Sequence, residues 1–72
     1  MKITPIRHGH RRMRERGVTV ADIRNVLNSR PPMHASPNKR VHTELALDGR
    51  RLEVTYTEAK AGEVRIVSVA AP

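Results

Sequence analysis

His8-Gly-His-Arg-Arg-Met-Arg-Glu-Arg-Gly-Val-Thr-Val-Ala-Asp22 is the stretch from which the fold is read. It spells a helix, a sharp stop and the start of a second helix. Gly17 suits the left-handed residue that ends a helix, and Val18 would fall back onto Met13 in the apolar contact of a Schellman stop. Thr19 then caps a new helix, with Asp22 three residues on as the reciprocal partner of a capping box and a carboxylate well placed for the helix dipole. His8, Arg12 and Arg16 recur at i, i+4 and i+8, so one stripe of the first helix carries an imidazole and two guanidinia. Such a stripe is suited to a phosphate.

Working outward, Thr4-Pro5 reads as the start of the first helix, with Thr4 as N-cap and Pro5 at the first helical position. Ile6 and Met13 would form its narrow apolar seam, and the basic stripe would flank the core. The second helix should bury Val20, Ile23, Val26 and Leu27 and end before Pro31-Pro32. Met33 to Lys39 contains Pro37 and has no period, which reads as a loop. From Arg40 the period becomes two, and Asp48-Gly49 is a type I′ hairpin signal. That turn sets Leu45 against Leu52, Thr43 against Val54 and Val41 against Tyr56. It also sets Glu44 against Glu53, a like-charge pair that neighbouring Arg would have to bridge. Ala59 to Gly62 reads as a loop. Glu63 to Val69 reads as a last strand, apolar on both alternations and therefore central or covered. The expectation is a single α+β domain over residues 1–72, with two N-terminal helices packed on a three- to four-stranded antiparallel sheet.

Composition narrows the function. Seventy-two residues with no Cys, Phe or Trp and a single Tyr make a thin aliphatic core without disulfides or thiolate metal sites. Fourteen Lys and Arg against seven Asp and Glu give +7, and eleven of the fourteen are Arg. That balance points to nucleic acid or an acidic protein partner rather than a neutral small molecule, and the excess of Arg favours forked phosphate recognition. No apolar run reaches membrane-spanning length and the N-terminal residues lack an apolar leader, so a cytoplasmic location is expected. His10, His34 and His42 have no zinc-like spacing, and neither a metal nor another cofactor is expected.

His8-x3-Arg12-Met13-x2-Arg16-Gly17-Val18-Thr19 resembles a family of small bacterial domains of unknown function whose first helix reads H-x3-R-M-x2-R-G-(I/V)-(S/T). The segment from Arg50 to Ala71, RRLEVTYTEAKAGEVRIVSVAA, resembles the BrnT toxins, with their L-x-V-x-Y-T and R-I-I-S strands. The resemblance implies a RelE-like ribonuclease toxin fold. It further implies metal-independent cleavage of RNA, free or as ribosome-bound mRNA, through attack by the 2′-OH, and an antitoxin with an acidic contact surface. The arginine that BrnT proteins carry after the Ser-Ala pair is absent here.

Such chemistry needs a base, an acid and cationic donors for the phosphorane. His8 is the expected proton carrier, with Arg12 at the phosphate and Tyr56 and Ser68 as hydroxyl donors. Arg16, Arg11, Arg51 and Arg65 are expected RNA contacts. Tyr56 also falls on the predicted core face, and Arg65 is placed to bridge Glu53. The competing expectation is binding without chemistry. It would be either a winged-helix-like DNA reader using Val20 to Asn28, which has only Arg24 and Asn25 outward, or a protein-interaction module for acidic surfaces.

Overall fold

The computed structural model describes residues 1–29, 31–38, 40–47, 49–60 and 62–70, with 45–47 and 50 described by their backbone alone. The order is β1 (Lys2–Pro5), α1 (Arg7–Arg16), α2 (Val20–Asn28), β2 (Met33–Ala35), β3 (Val41–Leu47), β4 (Arg50–Lys60) and β5 (Glu63–Ala70). The class is α+β. The sheet is five-stranded and mixed, in the order β1-β5-β4-β3-β2, and not purely antiparallel as expected.

The helix-stop-helix reading holds. Gly17 has φ 66°, and the Val18 N–H donates to the Met13 carbonyl at 2.8 Å. The Thr19 hydroxyl accepts from the Asp22 N–H (3.1 Å), and the Asp22 carboxylate accepts from the Thr19 N–H (2.9 Å). Two reciprocal bonds thus satisfy donors that a helix end leaves orphaned. Ile23 and Val26 are buried and Leu27 packs against the core. Val20, the first helical residue, is 37% exposed and, contrary to expectation, does not join the core.

The start of α1 differs from expectation. Thr4 and Pro5 lie in β1, which runs parallel to β5, and Ile6 is the N-cap without a side-chain bond. The Lys2 N–H donates to the Gly62 carbonyl and the Ile6 N–H to the Ile66 carbonyl, so the even-numbered residues face β5. Pro5 falls on the outward alternation of an edge strand, where a missing N–H costs nothing. Ile6 is 39% exposed. The buried seam of α1 is Gly9 with Met13, not Ile6 with Met13.

Met33 to Ala35 is likewise strand and not loop, pairing with β3 as Met33↔Thr43 and Ala35↔Val41. The β3–β4 register is as the alternation dictates, with Leu45↔Leu52, Thr43↔Val54, Val41↔Tyr56 and Glu44↔Glu53. Arg51 bridges Glu44, which relieves that like-charge pair. Asp48 lies outside the described residues, and Gly49 has φ 77°. β4 runs on to Lys60 and shortens the expected loop; the register shifts between Glu58 and Lys60.

β5 explains its own double apolarity. Tyr56 pairs with Ile66, whereas Thr55 pairs with Ser68, so Val67 is the extra residue of a bulge. The bulge switches the alternation: Val64 and Ile66 face the core before it, and Val69 faces the core after it. β5 is an inner strand between β1 and β4, while β4 is central.

The helices cover one face, burying Met13, Val18, Ile23 and Val26 against Leu52, Val54, Tyr56, Val64, Ile66 and Val69. A Cβ on Gly9 would collide with the Ile66 carbonyl oxygen and stand 2.9 Å from its carbon. Neither group is a flexible side-chain end. Gly9→Ala should therefore cost about 3 kcal/mol or more, or abolish folding, measured by urea denaturation. A destabilisation below about 1 kcal/mol, the bottom of the usual overpacking range, would contradict this close approach.

Candidate functional site

α1 is the site's scaffold. Among its ten residues only Gly9 and Met13 are buried. The close approach at Gly9 seats one face of the helix on β5, so Arg7, His8, His10, Arg11, Arg14 and Arg16 are all exposed. Arg14 and Arg16 lie in the last turn, where the helix dipole favours cations; the first turn holds no acid.

Two basic stripes result. The His8/Arg12/Arg16 stripe is present as expected, and the Arg12 guanidinium is half-buried and donates to the Glu15 carboxylate at 3.0 Å. The second stripe, Arg7/Arg11/Arg14 at i, i+4 and i+7, is legible in the same spacing, but a reading centred on His8 passes over it. With His10 and Glu15 it lines a depression of about 490 Å³. Arg7, Arg11 and Arg14 make no ion pair among the described residues. Glu15 is paired with Arg12, so the three guanidinia repel one another, and a phosphate laid along them relieves that repulsion.

The sheet candidates separate by face. Tyr56 is buried on the helix-covered face, its hydroxyl donating to the Met33 sulfur at 2.9 Å. Burial, and secondarily the Glu58 carboxylate, raises its pKa above the ordinary 10.0. The phenol is a neutral, core-facing group. Ser68 sits opposite Thr55 on the uncovered face, so the sheet itself stands between Tyr56 and Ser68. Arg65 and Arg51 occupy the same alternation as Ser68 and Thr55. The Arg65 Nε donates to the buried Glu63 carboxylate at 3.3 Å, which Lys2 also approaches at 3.8 Å; the expected bridge from Arg65 to Glu53 is thus made to Glu63 instead. The eight expected site residues therefore occupy three places: His8, Arg11, Arg12 and Arg16 on α1, Tyr56 in the core, and Ser68, Arg51 and Arg65 on the open face.

The open face also carries residues that sequence reasoning set aside. His34 pairs with His42, His42 with Thr55, and Thr55 with Ser68, a continuous row across four strands. His42 Nδ1 lies 3.1 Å from the Thr55 hydroxyl. No local period announces this row, because β2 is only three residues long. Among the described residues, no three His, Asp or Glu side chains converge as metal ligands would. No described helix is long and apolar enough to cross a membrane.

Tyr56 gives a clean test of the site's geometry, since it is the chain's only tyrosine and there is no tryptophan. With the folded pKa above 10.0, the folded state keeps its proton where the unfolded state loses it. Stability should fall as pH rises from 10 through the folded value. Phenolate absorbance of the folded chain should titrate above pH 10; a midpoint at or below 10 would contradict the buried hydroxyl.

No protein-family model, no curated protein and no solved structure matches this chain.

Proposed function

We propose that the protein is a metal-independent, toxin-like endoribonuclease of the RelE/BrnT type, which grips RNA phosphates with α1. The observation that supports this most is the outward face of α1, where five Arg and two His crowd ten residues with one Glu. His8, Arg12 and Arg16 form one phosphate track, and Arg7, Arg11 and Arg14 the other. The chain's excess of seven positive charges adds long-range attraction for an anionic polymer. Two helices on one face of a compact sheet agree with the resemblance in coarse architecture. The chain would work in the cytoplasm and be silenced by an antitoxin whose acidic side chains cover α1.

A second reading is binding without cleavage, as a nucleic-acid or protein-interaction module. It is favoured by one observation, that Tyr56 and Ser68 are parted by the sheet.

Induced expression in a bacterial host separates the two. The native chain should arrest growth and fragment total RNA, and His8→Ala and Arg12→Ala, folded by circular dichroism, should do so far less. Intact RNA and normal growth with the native chain would overturn the ribonuclease reading. Phosphate binding is tested independently by fluorescence anisotropy with single-stranded RNA. Replacing Arg7, Arg11 and Arg14 together by Ala should weaken binding at least tenfold at low salt. It should also flatten the salt slope by about 2, at roughly 0.7 for each phosphate that is no longer neutralised. An unchanged slope would contradict the placement of RNA on α1.

A further inference from the structure

Cleavage by 2′-OH attack moves two protons, one off the nucleophile and one onto the leaving oxygen, so it calls for a pair of groups that titrate near neutrality. The chain has four histidines. His8 and His10 are two apart on α1, a spacing that turns their rings to different sides of a helix. Tyr56 is held in the core. Among the described residues, one pair of histidines are direct cross-strand partners: His34 and His42, paired across β2 and β3, so that both side chains leave the same, uncovered face of the sheet. The geometry points to His34 and His42 as the acid–base pair of an RNA-cleaving site on the open sheet face. This inference rests on the endoribonuclease reading and assigns its chemistry to residues outside α1.

The surroundings agree. His42 is half-buried, and its hydrogen bond with the Thr55 hydroxyl fixes the ring, leaving Nε2 to face a substrate. Thr55 is 9% exposed and is a positioning residue. On one side of the row stand Glu44 and Glu53, which with Pro32, His34, His42 and Thr43 line a depression of about 340 Å³. Those carboxylates repel a phosphate. On the other side the row is followed by Thr57 and Arg65. Arg40, two residues before His42, joins them; the Ser36 N–H donates to its carbonyl at 2.8 Å and carries the β2–β3 pairing one step further. Arg40 makes no ion pair among the described residues. A scissile phosphate is thus steered to the arginine side of the imidazoles, where Arg40 stands beside the row.

The step balances. One neutral imidazole takes the 2′-OH proton as the 2′-oxygen bonds to phosphorus. The phosphorus–O5′ bond breaks, and the second, protonated imidazole gives its proton to the departing 5′-oxygen. The products are a 2′,3′-cyclic phosphate and a 5′-OH, and solvent exchange restores the two protonation states. No redox partner or metal is needed. α1, on the opposite side of the sheet, holds another part of the same folded RNA; the molecule is 22 Å through its shortest axis.

The test uses the purified full chain and a labelled RNA oligonucleotide. Native protein should yield 2′,3′-cyclic phosphate ends with a bell-shaped pH–rate profile. His34→Asn and His42→Asn should each lower kcat about 100-fold or more while leaving KM within about threefold, and each should remove one limb of the bell. Asn can keep the Thr55 hydrogen bond. Gln at the same positions serves as a second variant, with folding checked by circular dichroism. Cleavage by folded variants at the native rate would overturn the pair while leaving the ribonuclease reading intact. A native chain that cuts no RNA would overturn both.

Discussion

The contact on which the rest of this structure depends is the seat of α1 on the backbone of β5. Gly9 meets the Ile66 carbonyl with no side chain between them. That same carbonyl accepts the Ile6 N–H at the end of β1, and Val67, the bulged residue, is next in sequence. Three features therefore share one point: the parallel edge pairing, the approach of the helix and the change of strand alternation. Without the bulge, Val69 would leave the core and Ser68 would enter it. Without Gly9, α1 would stand off from β5 and expose Met13. The close packing at Gly9 also explains why so short a helix can turn nearly all its charge to solvent.

Burial is economical in a chain with one aromatic residue. Among the described residues, ten apolar side chains make the core, and the largest that are fully buried are Ile23, Leu52 and Ile66. Thr43 enters this apolar set only because its hydroxyl donates to the Pro32 carbonyl at 2.8 Å. The same bond ties the segment after α2 to β3 and sets β2 at the sheet edge. Tyr56 adds a second tie through Met33. β2, and with it His34, is held in line by these two side-chain bonds as much as by its three backbone pairs. The site residues are positioned by the core although they do not belong to it.

Much of the fold was legible because its signals are local. The hairpin register follows from strict alternation beside an Asp-Gly turn, and the capping box and left-handed Gly17 are each written within four residues. β1 was hidden because Thr-Pro is also a helix start and its partner, β5, lies about sixty residues away. β2 was hidden because three residues cannot display a period. The bulge at Val67 appeared in the sequence only as an excess of apolar residues, without saying which alternation turned inward. At the site, the basic helix was plain from composition. The grouping of Tyr56 with Ser68 was not, because one inserted residue decides which face each occupies. The row from His34 to Ser68 needs four strands in register, and no single stretch of sequence contains that information.

The central claim is that this protein holds RNA with α1 while its uncovered sheet face meets the same ligand. Nuclear magnetic resonance titration of the labelled chain with a short structured RNA at low salt tests it most directly. Resonances of Arg7, Arg11 and Arg14 on α1, and of His34, His42 and Ser68 on the sheet, should move together and return at high salt. Signals in the helix–sheet core should stay still. An RNA that moves neither set, or perturbs only residues remote from both faces, would contradict the account.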